Sequence, residues 1–384
     1  MYAFSDVMTN TEPNSPPMEL AFHAMSDVHT SASDYQRRRL RLGVLGVGSG
    51  TCLAVVVLIF VVSGLATRVG SGAGTAIALG TCAEALMGII QLLLDASGRR
   101  LDRQFGLISR EGSSLAFSGV IETGRWLISF VAGGAIAALS VVYAGASWPW
   151  VLIALVGAGV LLRLLLRGRP TGVEVPVDGK WLTQVQATFA AKRMPEIPNL
   201  VVIDIGETTL AGGRCGLLGR RLWISRAVAE LQPQVSATLI AREVAHTSHR
   251  HTTISAIISF LTLALSIGLA FALLRLTQPS LTLHAPSVVL ALSSIVTLCS
   301  FASLFILPAI GRAQVTAVDQ WIARHFGCEA ALAMLDALAA RNLPNDALDQ
   351  VKAYVFHPIP TMSARRASVQ ALQTTKQINR QASP

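Results

Sequence analysis

Residues Ala241 to His251 read A-R-E-V-A-H-T-S-H-R-H. On a helix, positions i and i+4 share a face, so the two histidines of an HExxH pattern hold one metal ion between them. The glutamate after the first histidine serves as general base toward a metal-bound water. Glu243 and His246 occupy the second and fifth positions of that pattern, but Arg242 stands where the first histidine belongs. A guanidinium is always protonated and has no lone pair to give a metal, so the stretch carries the pattern and its defect together.

The surroundings of this stretch are apolar. Of 384 residues, 52% are hydrophobic and 14% charged, and the mean hydropathy is +0.53. Those values describe a polytopic membrane protein and not a soluble one. The net charge of +9 does not indicate nucleic-acid binding, because the arginines gather beside apolar runs and not on one amphipathic face. Cys52, Cys82, Cys215, Cys299 and Cys328 are dispersed without a CxxC spacing, which argues against a disulfide framework or a cysteine metal cluster.

Residues 1–41 are polar at first and then basic, and read as a disordered cytoplasmic tail. Arg37, Arg38, Arg39 and Arg41 abut the apolar run Leu42 to Ala66, which starts a four-helix membrane region over 42–169. Its further runs are Gly72 to Leu94, Trp126 to Ala146 and Trp148 to Leu166, the second of the four being the weakest. The glycines at 43–50 and 70–74 border spans and follow no strand, so they read as close-packing positions and not as a phosphate loop. Glu84 lies inside a span and is expected to face the bundle interior.

A cytoplasmic α+β domain is expected over 170–252, with a helix from Trp181 to Lys192, β-rich runs at Leu200 to Asp204 and Leu222 to Ser225, and a helix opened by Pro233. Two more transmembrane helices follow in 253–311, and a helical part with a tail in 312–384. Arginines flank the expected cytoplasmic ends, whereas only Arg68 and Arg275 fall near the outer face. The expected placement is therefore a multi-pass protein of the plasma (inner) membrane with about six transmembrane helices and both termini cytoplasmic. A transporter or channel rests only on the span count and on Glu84, Glu122 and Arg125, and no internal repeat supports it.

The order of parts carries a resemblance. Arg99 to Arg110 (R-R-L-D-R-Q-F-G-L-I-S-R), Leu200 to Leu231, the 241–251 stretch, Val315 to Gly327 (V-T-A-V-D-Q-W-I-A-R-H-F-G) and Phe356-His357-Pro358 with Arg365 together resemble the integral-membrane zinc metallopeptidases of the CAAX prenyl protease type I and HtpX group. The resemblance implies a mainly α polytopic membrane fold with a gluzincin-like α+β domain around the HExxH helix. It places Glu243 on the general base, His246 on a zinc ligand, Asp319 on the aspartate of the E-x-x-A-D helix, and His357 and Arg365 on a supporting C-terminal pair. It also places Arg242 and Val315 on the two other zinc ligands and Thr208 on the asparagine of an Asn-Ala-Phe loop, so one of three protein ligands matches.

Two readings follow. In the first, the zinc site is degenerate, no cofactor is held, and the protein binds a polypeptide or another membrane protein without cleaving it. The strand at Leu222 to Ser225 and the cleft beside the 235–251 helix would accept an extended chain. In the second, the protein is an active membrane zinc metalloendopeptidase with a rearranged ligand set. Glu243, His246 and His249 then lie at helical steps of three, with Glu243 as base. Against this set, Glu243 cannot be both ligand and base, and His249 and His251 sit where a membrane interface is expected. On the first reading Arg242 supplies the positive charge a lost dication leaves wanting, and its side chain is expected within ion-pair distance of Glu243 or Asp319.

Overall fold

A computed structural model describes residues 18–62, 72–107, 113–168, 170, 172–195, 197, 199–205, 208–277, 286–342 and 359–381. The chain folds mostly into helices: α1 (Met18–Val62), α2 (Ala73–Gln104), α3 (Ser113–Tyr143) and α4 (Trp148–Leu165) precede a small sheet. The helix α1 begins at Met18, so helix runs through much of the stretch read as a tail, and residues 1–17 of it lie outside the described residues. An ion pair one helical turn apart, Arg38 to Asp34 at 2.8 Å, supports that extension.

Among the described residues, five helical stretches are long and apolar enough to cross a membrane: Asp34–Val61, Ala73–Gln104, Gly145–Leu165, His251–Leu276 and Pro286–His325. The weakest expected span, the second, is among them. The expected third span lies on α3 (Ser113–Tyr143), whose described apolar part runs from Leu127 to Tyr143. The helices bury small and branched residues against one another, among them Ala76, Ala138, Val141, Ile267 and Val289. They leave Ile59, Leu93, Leu265 and Leu276 exposed, as surfaces bathed in lipid must. Glu84 faces the bundle as expected: Ser293 of α9 (Pro286–Ala302) donates to its carboxylate. Gly134 of α3 makes room, since a Cβ there would lie 2.7 Å from Glu84 Cγ.

The sheet has strand order β1 (Leu166–Arg167), β4 (Gly212–Leu217), β5 (Arg221–Ser225), β3 (Leu200–Asp204), β2 (Val173–Val175), with β3 and β5 parallel and the other pairs antiparallel. α5 (Gly179–Ala191) follows β2 and is capped by the Asp178 carboxylate, which accepts from the Lys180 amide at 3.0 Å. Trp181, Val185 and Phe189 form its buried stripe at steps of four. A four-residue helix, α6 (Arg226–Ala229), leads from β5 into α7 (Pro233–Ser248). α8 (His251–Thr277), α9, α10 (Leu307–His325), α11 (Cys328–Asn342) and α12 (Met362–Gln381) complete the chain. One core joins α5, β5, α7, α10, α11 and α12 through Val185, Leu222, Ile240, Ile322, Leu335 and Val369.

β5 is an inner strand with β3 on one side and β4 on the other. The Leu222 to Ser225 run therefore has no edge to offer a peptide. The open edge belongs to β4: β1 covers only Gly216 and Leu217, which among the described residues leaves Gly212 to Cys215 without a neighbouring strand on that side. This strand escaped the sequence reading because G-G-R-C-G-L has low β propensity. Its glycines answer a packing need instead, for a Cβ at Gly213 would meet the Trp223 indole at 3.0 Å and one at Gly212 would meet Glu243 Cγ at 3.0 Å.

Candidate functional site

α7 divides its faces cleanly. Pro233 starts it, where a missing amide hydrogen costs nothing. Ala237, Ile240, Ala241, Val244 and Ala245 turn into the core, and the small residues among them let neighbouring helices approach. Arg242, Glu243 and His246 are left on the partly buried face beside β4. The helix stops at His249, and Arg250 adopts the left-handed conformation at φ +53°. That kink separates α7 from the span α8 and swings His251 back toward α7.

The expected ion pair is present. Arg242 Nη1 lies 3.2 Å from Glu243 Oε1, and the two side chains are 18% and 16% exposed. Burial raises the Glu243 carboxyl above the ordinary carboxylate range, and the Arg242 charge pulls in the opposite direction. Asp319 is not Arg242's partner. Arg365 of α12 takes it with two bonds, Nε to Oδ2 at 2.6 Å and Nη2 to Oδ1 at 2.8 Å, both residues being buried. The sequence pointed to each of these residues separately and gave no sign that they pair across α10 and α12.

His246 and His251 bring their Nδ1 atoms to 3.1 Å, so one ring donates to the other. His249 does not join Glu243 and His246: its Nδ1 donates to the Ala245 carbonyl at 2.9 Å. Val315, buried on α10, carries no donor atom. Among the described residues there is no group of three or more histidine, cysteine, aspartate or glutamate side chains placed to hold a metal ion. A catalytic zinc ion requires three protein ligands and an open position. Arg242, Val315 and the arginine-bound Asp319 do not fit that demand. His357 lies outside the described residues.

Two cavities meet at Glu243 and His246. One, of about 610 Å3, is walled by Arg242, Asn342, Met362 and Arg365; the other, of about 450 Å3, opens between α4, β4 and α8. The loop before β4 is held on both flanks. Asn342 accepts from the Leu210 amide at 2.9 Å, and Ser225 donates to the Thr209 carbonyl at 2.9 Å. Thr208 donates its amide to the Leu107 carbonyl at 3.0 Å, which docks this loop on the 99–110 segment. None of these three contacts was legible from residue spacing.

Burial lowers the His246 pKa from 6.5 to about 3, helped by the charges of Arg242, His251, Arg365 and His249. As pH falls, the unfolded chain takes up this proton before the folded chain does. The stability it contributes is complete above about pH 6.5 and is withdrawn as pH falls toward 3. Glu243 works in the opposite sense, its contribution being complete below 4.5 and lost as pH rises through its raised pKa. In detergent, the His246→Gln variant is expected to show a smaller acid-induced fall in Tm than the parent, by about 3 °C or more. An unchanged acid profile would show that His246 titrates normally.

No protein-family profile matches the sequence, and no curated protein is detectably similar to it. Among solved structures, the chain is similar to the crystal structure of Ste24p from S. mikatae. The TM-score is 0.61 at 16% sequence identity, over 78% of this chain and 77% of that one. At this identity the likeness shows the fold alone. It supports, at that level, the resemblance to the membrane metallopeptidases of the CAAX prenyl protease type I group.

Proposed function

We propose that this integral membrane protein keeps a metallopeptidase-like fold but uses it to bind an extended segment of a polypeptide or membrane protein, without zinc and without cleavage. The observation that carries this reading is the Arg242–Glu243 ion pair at 3.2 Å. A fixed cation sits beside the carboxylate at the position where the zinc-binding pattern calls for a histidine. The open edge of β4 at Gly212 to Cys215 borders both that carboxylate and the cavity, so a chain laid along it gains main-chain hydrogen bonds while its alternate side chains enter the cavity. On this reading the protein lies in the plasma (inner) membrane with both termini facing the cytoplasm, and α3 makes the sixth crossing.

The second reading, a zinc metalloendopeptidase with Glu243 as base, draws on one fact: Glu243 and His246 still line both cavities. Binding of fluorescent extended peptides to the purified protein separates the two. Non-catalytic binding predicts complexes that survive a chelator, leave the peptide intact, and weaken by about tenfold or more when alternate peptide nitrogens are methylated and can no longer donate. Cleavage that a chelator and Glu243→Gln both abolish would overturn it.

A further inference from the structure

Three arginines outside the ion pairs already described converge on the 450 Å3 cavity: Arg163 in the last turn of α4, Arg167 on β1 and Arg214 on β4. Strand pairing brings the last two together, since Arg167 lies opposite Gly216, two residues from Arg214. The β4–β5 turn holds them there. Arg214 Nη1 donates to the Gly219 carbonyl at 3.3 Å, and Gly219, at φ +64°, lies under the Arg167 side chain, where a Cβ would come within 2.8 Å of Cδ. The Nε atoms of Arg167 and Arg214 are both buried without a hydrogen-bond partner. Among the described residues no carboxylate forms an ion pair with any of the three. The one carboxylate lining the cavity, Glu243, is engaged by Arg242. Burial, and then the neighbouring Arg167 charge, pull the Arg214 pKa below its ordinary value. Two like charges held together, partly desolvated and lacking a counterion, leave an electrostatic cost that a bound anion offsets.

The position identifies the anion. The apolar span carrying α4 ends at Leu165 and the span of α8 begins at His251, so the cavity sits where both helices leave the bilayer, at the depth of lipid phosphates. Its remaining wall combines the aliphatic groups of Val160, Leu164 and Ala256 with the hydroxyls of Thr252, Ser255 and Ser259. A phosphate needs donors in a planar fork and an acyl chain needs the apolar flank, and this wall supplies both. We propose that Arg163, Arg167 and Arg214 form a headgroup site for an anionic phospholipid, seated beside the Glu243 cleft. A peptide carboxylate is the weaker fit, because the site lies at the mouth between two spans and not along the free part of the β4 edge. The assignment is independent of whether the cleft cleaves a polypeptide or only binds it.

The full-length protein, delipidated in detergent, is titrated with phosphatidylglycerol, phosphatidylcholine and inorganic phosphate, and bound species are counted by native mass spectrometry. The parent is expected to retain phosphatidylglycerol over phosphatidylcholine by about tenfold or more, and Arg167→Gln with Arg214→Gln to bring that ratio close to one. Arg163→Gln, at an exposed position that tolerates change, is expected to reduce it severalfold. Arg41→Gln, a basic position beside α1's apolar run and away from the cavity, is expected to leave it unchanged. A preference that survives the Arg167 and Arg214 substitutions, or that falls equally with Arg41→Gln, overturns the site. Displacement of the lipid by millimolar inorganic phosphate would assign a soluble anion instead. Displacement by a peptide with a free C-terminus, but not by its amide, would assign a peptide carboxylate, and either result overturns the lipid assignment.

Discussion

Protein purified without chelators is expected to hold zinc far below one ion per chain, and the double variant Arg242→His, Val315→Glu is expected to bind one ion per chain. The reason is the ligand count. The first substitution places an imidazole four residues before His246 on the same face of α7. The second places a carboxylate on α10, which packs against α7, so three donors replace the single histidine now present. Ligands for the ion are also ligands for the fold, because metal that binds the native state and not the unfolded chain stabilises by mass action. At a thousandfold excess over Kd the gain is about 4 kcal/mol, which raises Tm by about 5 °C for a chain of this size. In the chelated state the same variant should be less stable than the parent, since Glu243 has lost Arg242 while its burial remains. The opposite signs with and without zinc are what a merely damaged protein cannot reproduce. Stoichiometric zinc in the parent would sink the non-catalytic reading and restore the rearranged ligand set.

What the sequence disclosed follows from the range over which each interaction acts. The stripe Trp181, Val185, Phe189 and the Pro233 start of α7 are local, set by helical period or by residue type, and they could be read directly, whereas the choice of Glu243 over Asp319 as Arg242's partner needed the packing. β4 was hidden because its glycines are chosen by what lies against them, Glu243 and Trp223, and not by strand propensity. Its edge was consequently assigned to β5, whose alternating apolar residues advertise a strand without saying which neighbours it has. The His246–His251 contact depends on a left-handed Arg250, a conformation that residue identity gives no reason to expect. Asp319 and Arg365 are 46 residues apart in the chain, and only the packing of α12 on α10 could make them partners.

That buried pair is where the largest loss of stability is expected. Arg365→Met leaves Asp319 fully buried with no counterion, and Asp319→Leu leaves the guanidinium in the same position; each is expected to cost about 3–5 kcal/mol, or a Tm lower by about 5 °C. Combined, Asp319→Leu and Arg365→Met remove both charges and fill similar volume, so the double variant should regain most of the loss and can equal the parent. Thermal unfolding of the four proteins in detergent gives the coupling between the positions directly. Losses that simply add would mean that water reaches the pair and that each residue acts alone. The double variant also separates stability from binding, because Arg365 walls the 610 Å3 cavity together with Arg242 and Met362. A double variant as stable as the parent that binds extended peptides about tenfold more weakly would place the pair's role in shaping the cleft. Undiminished peptide affinity would confine it to holding α12 against α10.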